Sequence, residues 1–305
     1  FRKKTNKRYN LIYLIKTIFK ILFDQKISIK NIFHYITSQY IYADILMRKI
    51  NITFKNLNIN KLLINYEGIP FQHGIIKSIN NLNKNPKTIC YLHCASWPLQ
   101  TDLIYREKLI DTLLVSGEDQ KKNLISYLNW PKEKVSVIPS LRFNKKKESE
   151  FGGYLFVPFE IFYIKELLFR FEKFLDNLSV AALGKISIRI HPLNKNSSKH
   201  IKLTEELNKL LAKHENKFNK KKNQDSIMLG YATGVCVQAL EEGTTIYHFP
   251  YNDIIDVFSE RIWNNIKVEK IDNLVFKYSL KNKNKMFFVN YENEKFNKYI
   301  NPLLQ

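Results

Sequence analysis

Apolar positions along this chain recur with two spacings, and their alternation predicts the architecture. Short apolar runs bounded by Gly, Pro, Asn or Ser read as strands: residues 62–66, 88–93, 112–116, 135–138, 152–158, 186–190 and 226–229. Helical spacing fills the intervals. One helix opens at Pro70, where a proline suits the first turn, and others are expected over 119–128, 161–178 and 235–242. A lysine-rich helical segment follows His191-Pro192, and Gly243 closes the helix at 235–242. Residues 32–47 and 254–263 also read as helical, while the tail to Gln305 alternates short pieces without a clear assignment.

Strands separated by helices form parallel sheets covered on both faces, so the fold class expected is α/β. The charged run Asn144 to Glu150 has no apolar period and is the candidate linker. It divides the chain into Rossmann-like domains at 1–147 and 148–305, the second carrying the tail. A length of 305 residues suits two cores. The chain begins at Phe1, not Met, and the leading strand of the first domain is not evident, which leaves a missing start open.

Composition narrows the classes. With 45% hydrophobic and 13% aromatic residues the chain is globular rather than disordered. Its net charge of +21 favours an anionic partner such as nucleic acid, a membrane surface or an anionic substrate. Lys, Asn and Ile are abundant everywhere, so compositional bias is an equal explanation of that charge. The lysines are dispersed and no nucleic-acid module or aromatic-basic stacking pattern appears, which argues against nucleic acid. The three cysteines, Cys90, Cys94 and Cys236, match no zinc or redox spacing and are expected as buried reduced thiols of a cytosolic protein. No secretory signal is visible, and no apolar run approaches the roughly 20 residues of a membrane span. Residues 9–23 place an apolar face opposite Lys16 and Lys20, a helix that either packs on the first domain or lies on an anionic bilayer.

Candidate chemistry concentrates at strand ends, because ligands of parallel α/β sheets sit outside the carboxyl ends of the strands. His191 follows one strand and is stiffened by Pro192, so its ring can offer an N–H to a phosphate oxygen. Gly230-Tyr231-Ala232-Thr233-Gly234 follows another. There Gly230 and Gly234 would let the backbone pass close to a ligand, and Thr233 stands as N-cap of a helix whose first N–H groups suit an anion. These residues are expected to share one phosphate crevice. Glu241 closes that helix against the dipole, and binding a ribose hydroxyl or cytosine amine is one reason for it to be there. In the first half, Glu67 at a strand end is the first choice for a general base, with His93 and Asp102 as weaker alternatives. Arg142, at another strand end, suits a carboxylate or phosphate through bidentate contacts.

Arg189-Ile190-His191-Pro192, followed by Gly230 to Gly234 and by Ala239-Leu240-Glu241-Glu242-Gly243, resembles the nucleotide-binding half of bacterial GT-B glycosyltransferases. The members most similar in look use CMP-activated acidic sugars: the sialyltransferases and Kdo transferases of surface-polysaccharide assembly. The motifs Tyr66-Glu67-Gly68-Ile69-Pro70-Phe71-Gln72, Tyr91-Leu92-His93 and Pro139-Ser140-Leu141-Arg142-Phe143 look like those of surface-carbohydrate biosynthesis proteins. The resemblance spans residues 62–250. It implies two Rossmann-like domains facing a cleft, and a His-Pro motif that with a downstream Ser/Thr turn holds the CMP phosphate. Glu67 and His191 would then be catalytic. Arg142, Arg189, Pro192, Gly230, Thr233, Gly234 and Glu241 would bind the substrate or nucleotide. No metal and no cofactor is implied beyond the nucleotide sugar itself. The acceptor would be a polysaccharide or lipid-linked glycan, and the protein cytoplasmic or peripheral at the inner face of the plasma membrane. The acidic motif that carries the base in many sialyltransferases is not identified here. Alternatives are a CDP-glycerol-type polyol-phosphate transferase and a non-enzymatic basic protein that binds nucleic acid or membrane.

Overall fold

The computed structural model describes residues 38–82, 86–94, 98–107, 109–140, 152–219, 225–273 and 275–282, with 15, 16, 19 and 301 besides. The expected linker at 144–150, the boundary at 147/148 and Arg142 lie outside the described residues. So does most of the amphipathic segment 9–23, of which Ile15, Lys16 and Phe19 are helical and exposed. No helix among the described residues is long and apolar enough to cross a membrane.

The chain begins with helix α1 (Ser38–Phe54), strand β1 (Lys61–Asn65), helix α2 (Pro70–Leu82) and strand β2 (Lys87–Tyr91). β1 and β2 are parallel, with Lys61 opposite Lys87 and Asn65 opposite Tyr91. α1 and α2 approach closely at Gly74, where a Cβ would meet Met47 at 3.1 Å. Strand β3 (Thr112–Val115), helix α3 (Glu118–Tyr127) and strand β4 (Val135–Val137) follow, and the strands run in the order β1-β2-β3-β4.

The second sheet contains β5 (Tyr154–Phe156), β7 (Ser187–Arg189), β9 (Asp225–Leu229), β10 (Thr245–Phe249), β11 (Ile266–Asp272) and β12 (Val275–Leu280). Its order is β11-β12-β10-β9-β5-β7. β10, β9, β5 and β7 are mutually parallel, and β12 runs antiparallel to β10 and β11. The helices are α4 (Ile164–Asn177), α5 (Ser198–Lys213) and α6 (Gly234–Glu241); β6 (Leu183–Gly184) and β8 (Phe218–Asn219) form a small parallel pair. β9 is buried at every position, as a central parallel strand should be. Its residues alternate between two cores: Met228 joins Phe156, Ile246 and the α6 residues Val237 and Leu240, while Ile227 and Leu229 join Leu155 and the α4 residues Leu167 and Phe171. The expected α/β class with parallel sheets is therefore the observed one.

By their contacts the described residues fall into two compact units, one within Phe1–Tyr91 and Arg106–Leu113, the other within Leu92–Tyr105 and Leu114–Gln305. Inside the second, Pro98, Asp119 and Tyr127 are braced against the loop after β10. Trp263 Nε1 donates to Pro98 O at 3.1 Å, Asn265 Nδ2 to the Asp119 carboxylate at 3.1 Å, and Tyr127 OH to Arg261 O at 2.8 Å.

Residues 254–263 are not the helix their spacing suggests but a series of turns. Asn252 Oδ1 accepts from the N–H groups of Ile254 (2.8 Å) and Ile255 (3.2 Å), and Ser259 Oγ accepts from Arg261 N–H. Asp256 Oδ2 accepts from Asn252 N–H. Short polar side chains have taken donors that a helix would need.

Candidate functional site

Because β10, β9, β5 and β7 are parallel, their carboxyl ends open on one edge of the sheet. Four loops gather there, beginning at Pro250, Gly230, Val157 and Ile190. His191 lies after β7 and Thr233 after β9, with β5 between them, so two strand spacings of about 4.8 Å separate the strands that carry them.

His191 is exposed and caps a single 3₁₀ turn, Pro192–Asn194, in which Pro192 fixes the first position. Its Nδ1 accepts the Leu193 N–H at 3.3 Å, which places the proton of a neutral ring on Nε2. The ring also stands edge-on to Phe159 with centroids 5.0 Å apart, and Asn194 Nδ2 ties this turn to Phe159 O at 2.8 Å. A donor nitrogen is thus held at a fixed orientation on the open edge.

Thr233 takes the N-cap position of α6 with extended backbone (φ −115°, ψ 162°), and its carbonyl accepts the Cys236 N–H. Its hydroxyl makes no capping bond to the first turn, unlike the cap its position suggests. Gly234 is the first helical residue, half-buried. His191 and the Thr233-Gly234 turn are therefore brought to one edge, as their places at strand ends predict.

The preceding Gly230 differs from expectation. It has φ +76°, and a Cβ there would lie 2.6 Å from Tyr251 Cε2 and 2.8 Å from Pro158 Cβ. The space beside Gly230 is filled by the protein's own ring, not kept for a ligand. Below it, buried His248 donates from Nε2 to Gly230 O at 2.6 Å and accepts at Nδ1 from Tyr278 OH at 2.9 Å. Burial holds this imidazole down to about 4, so it is neutral and serves as a spacer between sheet and turn. Tyr251 is the second pin. Its hydroxyl donates to Glu160 O (2.8 Å) and accepts from Phe162 N–H (3.1 Å), and burial pushes the phenol up to about 12.

Two expected nucleotide contacts point elsewhere. Arg189 lies opposite Phe156 in register, yet its guanidinium covers the Tyr154 ring at 5.2 Å, two residues back toward the amino edge. Glu241 is at the far end of α6 from Thr233, about 11 Å along an eight-residue helix. There Gly243 at φ +82° closes a Schellman turn, with Thr244 N–H bonding Ala239 O and Gly243 N–H bonding Leu240 O.

In the other unit, the turn after β1 is organised by Gln72. Its Oε1 accepts from Glu67 N–H (2.8 Å) and Ile69 N–H (3.2 Å), and its Nε2 donates to Asn65 O (2.9 Å). Glu67 is thereby fixed, half-buried, just beyond the strand's carboxyl end. Next to it, buried Tyr66 bonds His73 Nε2 through its hydroxyl at 2.7 Å, and Arg106 approaches the same nitrogen at 3.5 Å. Burial, then the Arg106 charge, lowers His73 to about 4. The alternatives belong to the second unit: His93 is half-buried, and Asp102 is exposed on a 3₁₀ turn, Thr101–Leu103. Cys90 and Cys236 are buried free thiols, as expected, whereas Cys94 is only half-buried; burial, then Asp111, pushes Cys90 up to about 12.

Sequence reasoning missed Tyr251, His248 and Phe159. His248 carried a signal, being a polar residue between Tyr247 and Phe249 in a largely apolar strand. The pairing of Tyr251 with Gly230 carried none.

No protein-family model matches the chain, and no curated protein matches it. Among solved structures, it is similar to the GtfA/B complex bound to UDP and GlcNAc, at 13% identity and a TM-score of 0.27. The match covers 71% of this chain and 50% of that one, so the chain spans about half the length of that structure. A likeness of this size fixes neither fold nor chemistry.

Proposed function

We propose that the protein is a glycosyltransferase that takes a sugar from a nucleotide donor, with CMP-linked acidic sugars as the donor class and a surface polysaccharide or lipid-linked glycan as acceptor. One observation supports the reading: β7, β5 and β9 run parallel, so exposed His191, whose Nδ1 accepts the Leu193 N–H, and the amino end of α6 at Thr233-Gly234 both follow carboxyl ends on one sheet edge. Both can offer N–H groups to an anion, which suits a phosphate.

In this reaction the bond between the anomeric carbon and the phosphate oxygen breaks, and its electron pair stays on the phosphate. The His191 N–H donates to that oxygen as charge develops, and the α6 N–H groups support the same anion. The acceptor hydroxyl oxygen forms the new bond to the anomeric carbon and yields its proton to a carboxylate, the role proposed for Glu67. None of these steps calls on a metal, so EDTA should leave transfer unchanged. The amphipathic segment 9–23 is the proposed contact with the inner face of the plasma membrane.

Thermal shift against CMP, UMP and UDP tests the reading. A hundredfold excess of CMP over its Kd should stabilise by about 2.7 kcal/mol, raising Tm by roughly 5–10 °C. His191→Ala should weaken CMP about 10- to 100-fold, the loss of one charge-assisted bond of about 1.5–3 kcal/mol. Glu67→Gln should keep CMP binding and lose transfer, followed as CMP release from CMP-N-acetylneuraminate or CMP-Kdo with a bacterial surface glycan. Silence with every nucleotide would end the proposal.

A further inference from the structure

The loop from β5 to α4 holds a group of aromatic side chains that phosphate binding does not use. Tyr163 adopts φ 47°, ψ 43°, a left-handed backbone that side-chain-bearing residues enter only against steric cost, and its side chain is 74% exposed. Strain of this kind persists where neighbours enforce it, and it gathers at ligand clamps. Here Tyr251 enforces it from one side, bonding Glu160 O and Phe162 N–H. From the other, the N–H groups of Glu166 and Leu167 fasten Tyr163 O to the first turn of α4.

The strained residue stands beside further rings. Phe162, 43% exposed, meets Tyr251 at 5.7 Å and Tyr231 at 6.4 Å, and Tyr231 meets Tyr251 at 5.1 Å. The planes are inclined at 76°, 83° and 72°. Polar oxygens edge the cluster. After burial, the charges of Asp256 and Glu160 and the hydroxyl of Tyr163 hold the Tyr231 phenol above its ordinary value, so these groups lie within each other's field.

This arrangement selects among ring-shaped ligands. A planar base seeks a parallel face on each side, and rings set nearly perpendicular do not form that sandwich. A pyranose chair needs a single aromatic face for its axial C–H bonds, with acceptors and donors around it for equatorial hydroxyls. Exposed Phe162 and Tyr163 supply faces; the Glu160 carboxylate and the Tyr163 and Tyr231 phenols supply the polar partners. The exposed carboxylate of Glu160 also repels an anionic sugar.

The geometry points to a subsite for a neutral, hydroxyl-rich pyranose of a glycan, held by Phe162, Tyr163 and Glu160 on the carboxyl edge of the second sheet. Its purpose, acceptor binding, rests on the glycosyl-transfer reading; the binding itself does not.

Saturation-transfer difference NMR on the full chain tests it, with the methyl glycosides of glucose, galactose and N-acetylglucosamine, and methyl glucuronide for comparison. At least one neutral glycoside should receive saturation, strongest at its axial C–H protons, and at least fivefold more than the glucuronide. Phe162→Ala and Tyr163→Asn should each reduce the signal at least fivefold. Asparagine tolerates the left-handed backbone, so the second variant removes the ring and keeps the turn. No saturation from any neutral glycoside, a preference for the glucuronide, or full signal in both aromatic variants would each overturn the proposal. Pyranoside binding without any response to CMP would uphold the subsite and sink the nucleotide reading; CMP binding without pyranoside binding would do the reverse.

Discussion

Replacing Gly230 by alanine should destabilise the second unit by about 2–4 kcal/mol. Two penalties combine. A side chain at φ +76° costs about 1–2 kcal/mol. The added methyl would also lie 2.6 Å from Tyr251 Cε2 and 2.8 Å from Pro158 Cβ, inside any real contact distance. Tyr251 cannot swing aside without losing its hydroxyl bonds to Glu160 O and Phe162 N–H, so overpacking of about 1–3 kcal/mol applies. Reduced freedom of the unfolded chain returns about 0.4–1 kcal/mol. Urea unfolding followed by tryptophan fluorescence measures the sum; with a slope of about 2 kcal/mol/M, within the usual range, the midpoint should fall by roughly 1–2 M. A double-mutant cycle isolates the contact: in a Tyr251→Ala background the same glycine substitution should cost at least 1 kcal/mol less. A penalty below about 0.5 kcal/mol, or an equal one in both backgrounds, would refute the packing argument, since overpacking against that ring is its premise.

Acid should weaken the same turn. His248 falls to about 4 in the folded protein against 6.5 unfolded; its contribution is complete above 6.5 and is lost as pH falls toward 4. Urea midpoints should therefore drop between pH 7.5 and 5 by an amount near 2 kcal/mol for this residue, and His248→Gln, which keeps a donor and an acceptor, should abolish that share. Trp263→Phe should cost about 1–3 kcal/mol by leaving the buried Pro98 carbonyl without its indole donor, measured by the same unfolding assay.

Much of the fold is legible because it depends on local spacing. Pro70 opens α2, Gly243 closes α6 at positive φ, and the buried run Asp225–Leu229 marks a central strand. The same spacing misleads at 254–263, where Asn252, Asp256 and Ser259 divert backbone donors into turns. It also starts α4 too early, because the ring and hydroxyl of Tyr251 shape residues 160–163 from the end of another strand. That His191 and Thr233 follow parallel strands is legible from the ends of the apolar runs. Arg189 and Glu241 are near in sequence but their direction follows from tertiary contacts, a ring on β5 and the axis of α6, that no linear pattern encodes.

The outermost strands of the second sheet have a bearing on solubility. β11 sets Lys267, Glu269, Lys270 and Asp272 along one margin and carries an irregularity between Lys270 and Asp272; β7, at the other, is three residues long with Ser187 and Arg189 exposed. Among the described residues, neither margin presents a long, flat, apolar strand to a second molecule. Charged side chains, an irregular register and short length each work against strand-to-strand addition at these two margins.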